Sequence, residues 1–165
     1  MRHPDLPLNC LEALPVVYRA VVPPEYKDRM NHMNVRWYMV LYDEAGDGLF
    51  TLFGQTPDYY AAQGTGGFDL EHHVNYLNEV RIGDTVAIRA RLLRRTAKRL
   101  HYMLFMVNET RGLLSSTFEC VNSHADLRLR RTSPYPDHIA SQLDALIEAH
   151  SRLTWAAPVC GSMSA

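Results

Sequence analysis

The sequence predicts an α+β domain built from one long helix and one antiparallel sheet. Two observations carry that expectation. From about Asn34 to Phe53 the apolar residues Trp37, Tyr38, Leu41, Tyr42, Ala45, Leu49, Leu52 and Phe53 recur at three- and four-residue spacing. From Thr65 onward the period changes to two, in four segments joined by turns so short that neighbours must run antiparallel. The 165 residues fit a single domain, 1–165, with a core over about 15–136 and a terminal helix over about 137–150. A chain of this size hides roughly 70% of its unfolded surface and needs no disulfide or metal staple.

Taken in order, PVVYRAVV (15–22) reads as a first strand, closed by Pro23-Pro24, which cannot continue a ladder. The polar stretch EYKDRMNH precedes the long helix, for which Asn34 is the expected N-cap and Gly54 the expected stop. Gly46 and Gly48 inside that helix each cost ~1 kcal/mol relative to Ala, so a sheet or a partner helix should pack closely there. Four strands follow: TGGFDLEHHVNYLNEV, DTVAIRARLLRR, KRLHYMLFMVN and GLLSSTFECVNSHADL. Their turns are Gly83-Asp84, Thr96-Ala97 and Glu109–Gly112. In the strand after Arg99, Leu100, Tyr102, Leu104 and Met106 alternate with His101, Met103, Phe105 and Val107, so both faces are largely apolar. One layer of helix covers one face only, and a second protein layer, from a second copy, is expected on the other. HIASQLDALIEAH reads as a short terminal helix, and the tail beyond Trp155 as loose.

Composition narrows the function classes. Lys+Arg is 17 and Asp+Glu 18, a net charge of −1, which argues against a nucleic-acid or membrane partner recruited by bulk charge. No apolar run reaches the ~18 residues of a membrane helix. The opening MRHPDLPLNCLEALP lacks a signal-peptide core, and the chain reads as cytoplasmic. Cys10, Cys120 and Cys160 are widely spaced, without a CxxC, and read as reduced thiols, Cys120 as a small buried hydrophobe. There is no GxSxG elbow, Gly-rich phosphate loop or HExxH. Glu71, His72 and His73 fall on a strand whose adjacent residues face opposite ways, so no metal site is expected.

The chemistry sits in DRMNHMN, just before the long helix: Asp28, Asn31, His32 and Asn34. A helix N-terminus presents free N–H groups and partial positive charge, which can hold a carbonyl oxygen as it turns anionic. A carboxylate fixed beside it can attack that carbonyl or activate a water toward it. The same residues equally suit plain capping, Asp28 of the loop and Asn34 of the helix. Spacing alone leaves both readings open.

The segment VVPPEYKDRMNHMNVRWYMVLYDEAGDGL resembles the opening of the hotdog-fold acyl-CoA thioesterases of the 4-hydroxybenzoyl-CoA type. In them a first strand runs into an Asp, a Gly-His-hydrophobic-Asn sequence and the central helix. Asp28, His32 and Asn34 match, while Asn31 stands where Gly is usual. If that position needs positive φ, Asn is the residue best suited to replace Gly. The likeness continues through HVNYLNEV, Gly83-Asp84, the long hairpin and SPYP, over about 15–136. AKRLHYMLFMVNETRGLLSSTFECVNSHAD is similar to the betainyl-CoA thioesterase modules that accompany carnitine dehydrogenase.

The resemblance implies a hotdog fold, a long central helix wrapped by a five-stranded antiparallel sheet. It implies homodimers or homotetramers with active sites at the subunit interface. Asp28 would be nucleophile or general base, and N–H groups around His32 to Val35 would polarise the thioester carbonyl. Asn34 would orient the water or the Asp, and His32 would assist or brace the loop. Some hotdog thioesterases carry the acid on the central helix, where Asp43, Glu44 and Asp47 read instead as solvated or interface groups.

For the substrate, Arg89, Arg91, Arg94, Arg95, Lys98 and Arg99 put six of the 17 basic residues in eleven positions. They suit the phosphates of coenzyme A, with Arg89, Arg91, Lys98 and Arg99 as the candidates, or simply a solvated edge hairpin. Arg128, Arg130 and Arg131 form a second cluster. Trp37, Tyr38, Tyr42 and Tyr102 are candidates for an acyl pocket or for ordinary core. A betainyl group would favour an aromatic cage at ~0.5–2 kcal/mol per contact. The expectation is an acyl-CoA thioesterase for a short, betaine-type ester, with coenzyme A entering only as part of the substrate and no cofactor or metal. The alternatives are an acyl-carrier-protein thioesterase and a non-catalytic acyl-CoA-binding module. A hotdog hydratase is disfavoured, since its Asp/Asn-Pro-x-His arrangement is missing.

Overall fold

The computed structural model describes residues 6–165; the first five, part of the N-terminal stretch discussed above, lie outside the described residues. In chain order the elements are α1 (Leu8–Leu11), β1 (Val16–Val21), a 3₁₀ turn (Pro24–Tyr26), α2 (Val35–Thr51), α3 (Pro57–Gln63) and β2 (Thr65–Tyr76). They continue with β3 (Thr85–Arg95), β4 (Arg99–Asn108), β5 (Leu113–Asp126), β6 (Arg131–Thr132) and α4 (Asp137–Ser151). The residues group into two compact units, one through Gly48 with Val74–Ala90 and Leu104–Phe118, the other Leu49–His73, Arg91–Met103 and Glu119–Ala165. Helix α2 and strands β2, β3, β4 and β5 contribute residues to both.

The sheet has the order β1-β3-β4-β5-β2, with β6 added on β5. It therefore has six strands, one more than expected. β6 is two residues long and pairs Ala125 with Thr132 and Asp126 with Arg131, too short a ladder to leave a periodic signal. The expected strand at 65–80 stops at Tyr76, and the long helix starts at Val35 with Asn34 as its cap, as expected.

In the first unit, α2 packs on the sheet through Tyr42, whose ring lies 4.8 Å from Phe118. The close approach that its glycines demand is found at Gly48. A Cβ there would stand 2.0 Å from the Val17 carbonyl oxygen, so β1 backbone lies directly against the helix.

The second unit corrects one expectation. The tail is packed rather than loose: Met163 is buried, and its carbonyl accepts from Arg94 Nη2 at 3.3 Å. In this unit the chain's own tail also reaches the polar groups of the β4 and β5 face carrying His101 and Glu119. These two pair at 2.8 Å (His101 Nε2 to Glu119 Oε1), and Glu119 Oε2 accepts from the Cys160 N–H at 2.7 Å. Helix α3, which the sequence reading did not separate, starts on a Thr56 side-chain cap with Pro57 in its first turn and ends on left-handed Gly64.

Candidate active site

The loop between the 3₁₀ turn and α2 is closed by its own backbone. Lys27 bridges Met33, and the Asp28 N–H donates to the His32 carbonyl at 2.9 Å. Closing so tight a loop requires a left-handed residue, and Asn31 adopts φ 69°. This is the conformation that the missing glycine implied.

The loop's closure fixes the acid. Asp28 Oδ1 accepts from the Met30 N–H at 2.7 Å and the His32 N–H at 3.3 Å. Its Oδ2 lies 3.2 Å from His32 Nδ1, with the two side chains 14% and 29% exposed, respectively. The carboxylate is thus held from three directions yet keeps a face to solvent. A group that must meet a reacting carbon in one orientation is served by such bracing.

Helix α2 begins beside it. Asn34 Oδ1 accepts from the Arg36 N–H at 3.1 Å, so this side chain caps the helix. The N–H groups of His32, Met33 and Asn34 are all used internally, by Asp28, the Val80 carbonyl and the Tyr26 carbonyl. The Val35 N–H has no acceptor among the described residues. Of the four donors that the sequence nominated for a carbonyl oxygen, one is therefore available, at the first residue of α2.

These groups line one cleft of about 1010 Å³ in the first unit. It includes Asp28, His32, Asn34, Val35, Tyr38 and Tyr76, with Lys27, Arg29 and Glu79 also on its wall. Tyr38 and Tyr76 meet edge to face, centroids 5.1 Å apart at 86°. Burial is the main cause raising the Tyr38 phenol above its ordinary range. Glu79 is drawn below the usual carboxylate range, mainly by its hydrogen bond to Arg81. Lys27 and Arg29 are exposed, and among the described residues their side chains have no ion-pair partner.

Other nominated residues stand elsewhere. Trp37 is not on the cleft; its ring stacks on Tyr26 at 3.9 Å, with the Arg36 guanidinium 4.8 Å from its centroid. Tyr42 is core, its hydroxyl 2.5 Å from Ser116 Oγ and pushed well up by burial. Tyr102 is buried in the second unit, next to Cys120, and burial raises it too. Arg89 Nη1 donates to the carbonyls of Leu11, Glu12 and Leu14, pinning the N-terminal segment to β3. Arg91 is buried, donates to the His150 and Trp155 carbonyls, and lies 4.1 Å from the Trp155 ring centroid. Both of these guanidiniums serve the chain's own backbone, whereas Lys98 and Arg99 are exposed at the β3–β4 turn. Asp43, Glu44 and Asp47 are exposed on α2.

Sequence reading missed one polar cluster. Asp69, His72 and Cys120 bring ligand-type atoms within 4.8 Å of one another, a set able to hold a metal ion. Strand pairing unites them, since Cys120 is far from the others in sequence. The cluster also closes on itself: Asp69 accepts from Asn122 at 2.6 Å and lies 2.8 Å from His72 Nε2. Burial pushes the Cys120 thiol well up, away from the thiolate a metal would need.

A braced carboxylate beside an N–H without an acceptor among the described residues is an arrangement able to serve hydrolysis at an activated carbonyl. The family described as the thioesterase-like superfamily matches residues 22–143, and the chain belongs to it. Its reaction class is thioester hydrolysis. A betainyl-CoA thioesterase from Pseudomonas aeruginosa is 32% identical over 138 residues, covering 82% of this chain and 86% of the relative. An L-carnitine dehydrogenase/betainyl-CoA thioesterase from Rhizobium meliloti is 25% identical over 126 residues, 76% of this chain and 25% of that much longer relative. Among solved structures, a Staphylococcus aureus protein in complex with CoA aligns at TM-score 0.80 and 22% identity, over 92% of this chain and 96% of that one. A 1,4-dihydroxy-2-naphthoyl-CoA thioesterase from Synechocystis aligns at TM-score 0.68 and 11% identity, over 79% of this chain and 96% of that one. The fold is the hotdog fold.

Proposed function

We propose that the chain is an acyl-CoA thioesterase whose catalytic carboxylate is Asp28 and whose carbonyl-polarising donor is the Val35 N–H. The observation that carries this reading is their presence on one cleft, the carboxylate braced and the N–H without an acceptor among the described residues. The thioester oxygen binds at the start of α2, where the N–H and the helix dipole stabilise the negative charge that grows on it. Asp28 forms the new C–O bond itself or removes a proton from the water that does. The C–S bond breaks, and on the general-base route the thiolate takes the proton that Asp28 removed from water. On the nucleophilic route an Asp28–acyl anhydride forms, which water then hydrolyses to free the acid and restore Asp28, one proton from that water going to the thiolate. His32 orients Asp28, and Asn34 holds the helix start in place. The attacking groups are a carboxylate and water, so the step calls for no metal or cofactor.

Betainyl is the acyl group supported by the relatives' specificity. An assembly of copies is supported by β2, an edge strand of the sheet that exposes Phe68 and Leu70. The free thiols of Cys10, Cys120 and Cys160 support a reducing compartment such as the cytoplasm. Among the described residues no helix is long and apolar enough to cross a membrane.

Asp28→Asn tests the assignment. The amide oxygen still accepts from Met30 and His32, so the loop should hold, while kcat should fall by about 10²–10⁴-fold. Thiol release from betainyl-CoA by a folded variant at the wild-type rate would refute the role of Asp28.

A further inference from the structure

We propose that Tyr38 and Tyr76 form the subsite that recognises a quaternary-ammonium acyl group, with Tyr76 as the residue that reads its charge. The proposal rests on the reading of the chain as an acyl-CoA thioesterase and adds what distinguishes a cationic acyl group from a neutral one of the same shape. A trimethylammonium group has no N–H to donate, so hydrogen bonds cannot select it. Its charge can be met by electron-rich ring faces or by a carboxylate. Two rings at 86° with centroids 5.1 Å apart form a right-angled corner, one wall from each ring. Both rings lie on the cleft that holds Asp28.

The two rings divide the work. Tyr38 is 5% exposed, so α2 and its surroundings hold it as a fixed wall, whereas Tyr76, at the end of β2, is 50% exposed and is the ring open to a ligand. The carboxylates on the cleft are committed elsewhere. Glu79 Oε1 accepts from Arg81 Nε at 2.8 Å and lies 3.6 Å from Arg111 Nη1, and Asp28 is braced for the reaction. Lys27 and Arg29 add positive charge to the same wall, which an ammonium gains nothing by approaching. Asp28, which meets a carbonyl carbon only one CH2 from the ammonium, favours the cation in every variant, and the aromatic corner adds the part that Tyr76→Leu removes.

The test compares betainyl-CoA with 3,3-dimethylbutyryl-CoA, in which carbon replaces the quaternary nitrogen and the shape is kept. The wild-type ratio of kcat/KM, cationic over neutral, is expected to exceed unity. Tyr76→Leu should lower that ratio by about 3- to 30-fold, and Tyr76→Phe, which keeps the ring, should restore it. A wild-type ratio of one, or a ratio that Tyr76→Leu leaves unchanged in a folded variant, would overturn the proposal. Cleavage of neither ester would instead defeat the thioesterase reading. In that event calorimetric binding of the same two esters, with the same variants, still decides whether the corner senses charge.

Discussion

Replacing Val35 by proline deletes the one N–H assigned to the thioester oxygen while leaving the helix in place. Val35 is the first residue of α2, where proline's fixed φ suits the helix and its missing donor costs no internal bond. The cap position before it ordinarily takes the extended backbone that a residue preceding proline prefers. The Val35 N–H has no acceptor among the described residues and the side chain is exposed, so little stability rides on the exchange. A loss of up to about 1 kcal/mol, or roughly 2–4 °C in Tm for a chain of this size, is expected. The chemical effect is larger: one oxyanion donor is worth about 10²–10³ in kcat. Val35→Ala, which keeps the N–H, serves as the control and should retain wild-type kcat. Thiol release under saturating betainyl-CoA, with circular dichroism to verify folding, reads both effects. A folded proline variant with kcat within threefold of the alanine variant would refute the placement of the oxyanion at Val35.

Two predictions concern the scaffold. Gly48→Ala sets a methyl group 2.0 Å from the Val17 carbonyl oxygen, and because that neighbour is backbone, either β1 or α2 must shift. Overpacking of this kind costs about 1–3 kcal/mol, so thermal unfolding should show a Tm lower by several degrees, and an unchanged Tm would contradict the close approach. The second concerns pH. His150, whose Nδ1 accepts from the Leu92 N–H at 3.0 Å, and His124 are both held below the ordinary histidine range, chiefly by burial. The unfolded chain therefore binds more protons below about pH 6.5, so stability is full above that value and falls as pH drops through it. Urea unfolding should give a lower midpoint at pH 5.5 than at 7.5, and an equal midpoint would contradict the burial of these rings.

What was legible in the sequence was what leaves a periodic or positional mark. The 3.6-residue rhythm located α2, the alternation after Thr65 located the sheet, and Gly48 announced a close contact that β1 supplies. Asn31 in place of glycine correctly implied a left-handed loop residue. Helix α3 also carried its signals, a Thr56 cap, Pro57 and Gly64, but seven residues are too few for periodicity to draw attention to them. The basic cluster misled for a physical reason. Arg89 and Arg91 sit on a strand where solvent exposure seemed natural, yet each donates to carbonyls that arrive from distant sequence, Leu14 in one case and Trp155 in the other. Nothing local marks a carbonyl that is waiting for a guanidinium. The availability of Val35 among four candidate donors was equally hidden, because it depends on where the Val80 and Tyr26 carbonyls come to lie.

Beside the buried Met163 and the Trp155 ring, three contacts of the C-terminal segment are made by its main chain. Arg94 meets the carbonyl of Met163, Glu119 meets the N–H of Cys160, and Arg91 meets the carbonyl of Trp155. A peptide group is the same whatever side chain it carries, so between these points the segment can drift in sequence while its spacing stays fixed. An insertion or deletion there would move every later peptide group out of register with its partner, where a substitution would leave it in place. The match to the family ends at residue 143, and this packed segment lies beyond it.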